Sequence, residues 1–336
     1  MTNPTHFLSV GFDAGMGALK LYLPEAHVEF LSQVSVNGAQ RVATTMGLKA
    51  TPPPLQIETN HQTFFVGPRA HDWGRPIESL DYERLTGAPE MIALFYGALT
   101  QVAASMDGAL LHLTVGLPHG SVAGPEGEQN IAAVRRWMEG THTWRADGIE
   151  HAVEIASVKV ATQATGALFD YLLDETGKFI PERKTGFKNE VGVISIGFNT
   201  VELQVVRNKA EVHRFTGGAT VGVRRLLELA DPQRLYSLGE LDALLRAKRL
   251  DLGEALPVWE REVVGFIESK WGSTWRRFAA VLLVGGGAHL LRNTLPYRFE
   301  GKAFIPDDPV LAIARGLYKL TVLQRGRSSG ATSEKG

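Results

Sequence analysis

The chain has no cysteine, which excludes disulfide staples and thiolate metal sites and fits a reducing, cytoplasmic setting. It also lacks an excess of either charge. Its 35 Lys and Arg against 36 Asp and Glu leave a formal net charge of −1. Surfaces that hold nucleic acid or anionic membranes by electrostatics are strongly basic, so neither is expected as a direct partner. No apolar run approaches the length of about 18 residues that a membrane-spanning helix needs. The opening MTNPTHFLSVGFD shows no basic segment followed by a long apolar core, so no signal peptide is expected. The histidines, His71 among them, have no metal-ligand spacing.

What is present is ordinary for a soluble globular protein: 44% hydrophobic and 21% charged residues. At 336 residues the chain exceeds the usual size of one hydrophobic core, so two domains are expected. The most informative stretch is 191–206, VGVISIGFNTVELQVV. It reads as an apolar strand, a tight turn of Gly197, Phe198, Asn199 and Thr200, and a second, alternating strand. Glycine with small hydroxyl and amide residues at a hairpin tip offers N–H groups and side-chain donors to an anion. Residues 8–22, LSVGFDAGMGALKLY, repeat the device, with Asp13 at the entrance of the turn. Lys20 alternates with Leu19 and Leu21 and so faces away from them, where a cleft can lie.

In chain order, residues 36–88 read as an irregular inserted subdomain, interrupted by Pro52, Pro53 and Pro54 and carrying a small hairpin around 59–61. A helix is expected over 89–106, a strand over 110–115, a glycine-rich loop after it, a strand over 149–160 and a helix over 162–176. The charged, Pro- and Gly-containing stretch 177–190 places the domain boundary. Domain I is then 1–185, rejoined by a last helix at 308–323, and domain II is 186–307. Ser237 and Glu240 have the spacing of a capping box opening the helix 238–248, within a helical subdomain at about 226–275. The apolar strand 279–284 runs directly into Gly285, Gly286, Gly287 and Ala288, a turn that lets backbone approach a flat ring. Residues 326–336 are expected to be a disordered tail.

Taken together, Asp13-Ala14-Gly15 with Lys20, Gly197-Phe198-Asn199-Thr200, and Val284 through Ala288 resemble the two phosphate loops and the adenosine loop of the actin, Hsp70 and sugar-kinase superfamily. Phe65-Val66-Gly67 with Ala70, Val115-Gly116-Leu117-Pro118, the run Gly217–Gly222 and Ala314-Arg315-Gly316-Leu317-Tyr318 after Pro309 narrow the resemblance to actin-like proteins of the ParM/StbA type. The similarity spans Phe7 to Leu323. It implies an α/β, two-domain actin-like (ribonuclease H-like) fold with a nucleotide cleft between the domains.

The resemblance also implies roles. Asp13 would hold Mg2+ through water. The backbone of Gly15, Met16, Gly17 and Ala18, with Lys20, would bind the β- and γ-phosphates of ATP, and Gly197, Phe198, Asn199 and Thr200 would close on them. Gly217, Gly218 and Gly285–Ala288 would flank ribose and base, and Gln163 would orient the attacking water. One position departs from the superfamily: an aspartate is common before the second phosphate turn, where this chain has Ser195, with Glu202 further on. A hydroxyl can bond a metal-bound water but cannot polarise the attacking one by charge. The implied activity is slow ATP hydrolysis coupled to head-to-tail filaments of the chain with itself, in DNA or plasmid segregation or another cytoskeletal role, with any DNA reached through an adaptor. A sugar or carboxylate kinase is the alternative. An Hsp70-like module is a third reading, for which no peptide-binding domain is evident.

Overall fold

The computed structural model describes residues 6–38, 51–79, 81–184, 186 and 188–333. The first sheet contains β1 (His6–Asp13), β2 (Ala18–Tyr22), β3 (His27–Leu31), β4 (Val34–Val36), β5 (Leu55–Thr59), β6 (Gln62–Val66), β7 (Arg75–Pro76), β8 (Ala109–Leu117), β9 (Gly140–Ala146) and β10 (Ile149–Thr162). Their spatial order is β3-β2-β1-β8-β10-β9-β5-β6-β4-β7. The second sheet contains β11 (Val191–Ile196), β12 (Val201–Arg207), β13 (Ala210–Glu211), β14 (Gly217–Ala219), β15 (Ala280–Val284) and β16 (Ala303–Phe304). Its order is β13-β12-β11-β15-β16, with β14 beside β12.

The two sheets repeat one motif. β1 pairs antiparallel with β2 and parallel with β8; β11 pairs antiparallel with β12 and parallel with β15. The sequence patterns explain the difference between inner and outer strands. β11 and β15 are apolar at nearly every position and buried at all of them, as parallel strands covered on both faces must be. β9 alternates exposed and buried residues, because one of its faces meets solvent.

Within 36–88, the stretch expected as an irregular inserted subdomain, β5, β6 and β7 extend the first sheet, and residues 39–50 and 80 lie outside the described residues. Helix Gly127–Met138 and strand β9 occupy a region whose sequence reads as loop, because only three residues of that helix are buried and its apolar stripe is thin. The capping box is present in full, with Ser237 and Glu240 each bonding the other's backbone N–H.

Two helices tie the sheets together. Gln163–Leu172 follows β10 and leads toward β11, and Ala312–Ser333 returns from the second sheet to the first. The latter starts later than the expected 308 and runs through the region whose composition suggests a disordered tail; residues 334–336 lie outside the described residues. Ala164, Leu168 and Leu172 of one helix and Ile313 and Leu317 of the other share a core with Val191, Val193 and Leu282 of the second sheet. At their crossing a Cβ on Gly316 would lie 1.8 Å from the Gly166 carbonyl oxygen, so only glycine permits it. Beside it the buried Asp170 carboxylate receives Arg315 Nε at 2.7 Å, Arg315 Nη2 at 2.6 Å and Lys319 Nζ at 2.9 Å.

Gly316→Ala is expected to lower the free energy of unfolding by about 3 kcal/mol or more, because the methyl group has no space and two helices must separate to make it. Urea unfolding measures this; an unchanged midpoint would mean that the helices do not cross this closely.

Candidate functional site

The C-terminal ends of β1, β11 and β15 open into one cleft of about 630 Å³, within the range of small-molecule sites. Asp13 ends β1, 1% exposed, and pairs across the hairpin with Lys20. Its Oδ2 accepts from Lys20 Nζ at 3.2 Å and its Oδ1 from Gln163 Nε2 at 2.6 Å. Gln163 is the first residue of its helix, whose N-cap Thr162 accepts from Thr165 N–H. The capping role is therefore filled by Thr162, and the Gln163 side chain is turned to Asp13 instead.

The turn between β1 and β2 is held by Ser32 Oγ, which donates to the Gly15 carbonyl at 2.8 Å. In the second hairpin Gly197 N–H donates to Thr200 C=O at 2.9 Å. The carbonyls of Gly197, Phe198 and Asn199 accept from Val223, Arg224 and Gly222 at 3.0, 2.7 and 3.2 Å, which anchors this turn at the start of helix Val223–Ala230. The two turns touch: a Cβ on Gly17 would lie 2.7 Å from Phe198 Cβ.

The cleft wall thus includes Asp13, Gly15, Met16, Gly17, Ala18, Lys20, Gln163, Ser195, Gly197, Phe198, Asn199 and Thr200. Of the glycine-rich stretch after β15, Gly285 and Gly286 reach it. Gly285 has φ +89°, a conformation that favours glycine. Gly287 and Ala288 turn inward instead; a Cβ on Gly287 would lie 2.1 Å from Ile196 Cγ2. Gly217 and Gly218 lie on β14, opposite Leu203 and Glu202, and are not part of the wall. Gly217, Gly218, Gly287 and Ala288, expected at the ribose or base, thus lie outside the wall of the cleft.

Sequence reasoning leaves Glu202 without a role. It pairs directly with Ser195 and is 2% exposed. Its Oε1 accepts from His119 N–H at 3.0 Å across the domain seam, and its Oε2 has no hydrogen-bond partner. Burial pushes its carboxyl up to about 8, with the Asp13 charge adding to the shift and the His119 bond opposing it. The far end of the cleft is equally silent in the sequence. There Asp242, Leu245, Arg246 and Lys248 from the second half meet Glu29 from the first, with Arg246 Nη1 2.7 Å from Glu29 Oε1. Arg246 and Glu29 are 217 residues apart in sequence, and nothing local marks them.

The donor set fits a magnesium ion held mainly by its own water and by a ligand's phosphates. Among the described residues no cluster of three His, Asp or Glu forms a protein cage, yet Asp13 stands at the phosphate turns and the buried Asn199 Oδ1 has no partner.

Residues 11–166 match the family model for the N-terminal domain of actin-like proteins. A search of curated proteins by sequence gives no match. Among solved structures, apo psk41 ParM superposes with TM-score 0.71 at 15% identity over 96% of this chain and 98% of that one. The ADP complex of Ta0583, an archaeal actin homolog, gives 0.70 at 18% over 95% and 100%. A 15-stranded ParM filament from Clostridium botulinum gives 0.67 at 18% over 96% and 100%. At such identities the likeness establishes the fold.

Between about pH 5 and pH 8 the folded chain keeps a proton on Glu202 that the unfolded chain releases, so this carboxyl makes stability fall as pH rises, by at most about 1.4 kcal/mol per unit. Glu202→Gln can keep the His119 bond and removes the charge. Its melting temperature is expected to gain on the parent's between about pH 6 and about pH 9, and parallel pH profiles would show that Glu202 does not carry this proton.

Proposed function

We propose that this chain is an actin-like protein that binds ATP with magnesium in the cleft, assembles head to tail with copies of itself, and hydrolyses the nucleotide slowly; its matched N-terminal segment and two-sheet fold support the reading. The observation that carries this reading is the contact of the Gly17 backbone with Phe198, which sets one N–H-rich hairpin turn from each half against the other beside the Asp13, Lys20 and Gln163 cluster. A polyphosphate lying there meets backbone donors from both sides and the Lys20 ammonium.

The chain's own groups account for slow chemistry. Gln163 spends its N–H on Asp13, which leaves its carbonyl oxygen to orient a water. Ser195 carries no charge, and Glu202 opposite it is largely protonated at neutral pH, so no free carboxylate stands on the second hairpin to draw a proton from that water. Such assistance is worth about 10²- to 10⁴-fold in rate. Magnesium, when bound, neutralises charge on the phosphates, with Asp13 the residue to hold its water shell.

The related ParM forms filaments, and a head-to-tail contact that does not close generates them. The role we infer, DNA or plasmid segregation through an adaptor or another cytoskeletal task, rests on the sequence resemblance to the ParM/StbA type. A small-molecule kinase is disfavoured because the cleft carboxylates are already engaged: Asp13 by Lys20 and Gln163, and Glu29 and Asp242 by Arg246. A kinase needs one free to take the acceptor's proton.

Sedimentation and electron microscopy with ATP and magnesium test the proposal: an ATP-dependent pellet of filaments is expected, and phosphorylation of a sugar without any pellet would refute it. Lys20→Met is expected to weaken ATP binding tenfold or more, read by fluorescent-nucleotide titration. In single-turnover assays Ser195→Asp is expected to hydrolyse faster than the parent; the same rate in both would show that the missing charge does not limit hydrolysis.

A further inference from the structure

A second, smaller cavity of about 40 Å³ opens beside the phosphate turns, sharing Met16, Gly17, Phe198 and Asp242 with the main cleft. At roughly 10–15 Å³ per water centre it has room for about three waters or one small tetrahedral ion. Two basic side chains line it. Arg84, on the short turn Tyr82–Thr86, is 4% exposed. Its Nη1 donates to the Ser79 carbonyl at 2.7 Å, but among the described residues Nε and Nη2 have no hydrogen-bond partner. Among the described residues no carboxylate forms an ion pair with it. His71, whose side chain is 8% exposed, has both ring nitrogens without a hydrogen bond, and its Nδ1 lies 3.6 Å from Glu78 Oε1. The Gly239 backbone packs on the ring so closely that a Cβ there would lie 2.3 Å from Nδ1.

A buried guanidinium cannot shed its proton to escape the cost of burial, so it calls for an anion. Its two idle donors lie side by side on one edge of the fork, the edge that engages oxyanions in pairs. We infer that Arg84 and His71 form a seat for a small oxyanion of phosphate size, in a side chamber that communicates with the nucleotide cleft. Two carboxylates border the chamber and must not repel the ion. Asp242 is tied to Arg246 at 2.8 Å, and burial pushes it toward its neutral form. Glu78 is 37% exposed and has solvent to turn into. The seat adjoins Met16 and Gly17, so an inorganic phosphate freed at the turns has a stopping place before it leaves the protein. Phosphate from solution reaches the same donors.

Equilibrium dialysis of the full chain with labelled inorganic phosphate, in the presence of saturating ADP and in its absence, tests this without reference to hydrolysis. One saturable phosphate per chain is expected in both conditions. Arg84→Gln is expected to weaken it tenfold or more and His71→Asn several-fold. Phosphate is also expected to raise the melting temperature of the parent but not of Arg84→Gln. If Arg84→Gln does not fold, the His71→Asn result decides alone. Absence of saturable phosphate, its loss on adding ADP, or full binding in both chamber variants would each overturn the inference. Failure of ATP binding would not bear on it.

Discussion

The tightest constraint in the molecule is the crossing of two helices at Gly166 and Gly316, where backbone meets backbone with no side chain between. Everything at the cleft is downstream of it. Gln163 begins one of these helices and reaches Asp13 at the end of β1; the other packs so tightly on β1 that a Cβ on Gly11 would lie 1.9 Å from the Ala314 carbonyl oxygen. Asp170 locks the pair by taking both Arg315 and Lys319. A buried carboxylate with two cations is costly to assemble and more costly to break, so it serves best as a device that fixes geometry. The relative position of the two sheets, and hence the meeting of the two turns, rests on this crossing.

The electrostatics of the cleft follow from how many carboxylates a small buried volume can hold in charged form. Asp13 keeps its place because Lys20 and Gln163 satisfy both its oxygens. Glu202, burdened by burial and by the charge of Asp13, holds its proton to about pH 8. A third acid at Ser195 would join both. The hydroxyl there is thus consistent with its neighbours: the strand facing it already carries the acidic side chain of the second hairpin, in a neutral form.

Much of this is legible in the residues. The hairpins at 8–22 and 191–206 announce themselves by alternation and by turn residues, and local chemistry is enough to form them. The buried strand at 280–284 and the capping box at Ser237 and Glu240 are equally local. The turn after β15 is half legible: glycine can line a cleft, as at Gly285 and Gly286, or pack on another side chain, as at Gly287. Composition does not separate these. The pairing of Glu202 with His119 and the reach of Arg246 to Glu29 depend on chain segments far apart in sequence, which periodicity cannot register. The C-terminal helix misleads because residues 324–333 are polar, glycine-containing and short of apolar anchors, so composition argues for disorder where the helix continues.

Closure of the cleft has its own energetics. Beyond the shared turns, the two halves meet at the far end through Arg246 with Glu29, side chains 40% and 33% exposed, and through Gln33 Nε2 donating to the Gly239 carbonyl at 3.2 Å. A surface ion pair contributes about 0–1 kcal/mol and a hydrogen bond about 1 kcal/mol. These two contacts together contribute only about 1–2 kcal/mol to holding the far end shut. A polyphosphate that touches both turns gains contacts available only when the halves are together, and a differential affinity of a few kcal/mol is enough to make closure nearly complete. The two contacts at the far end are weak beside the helix crossing, where backbone meets backbone.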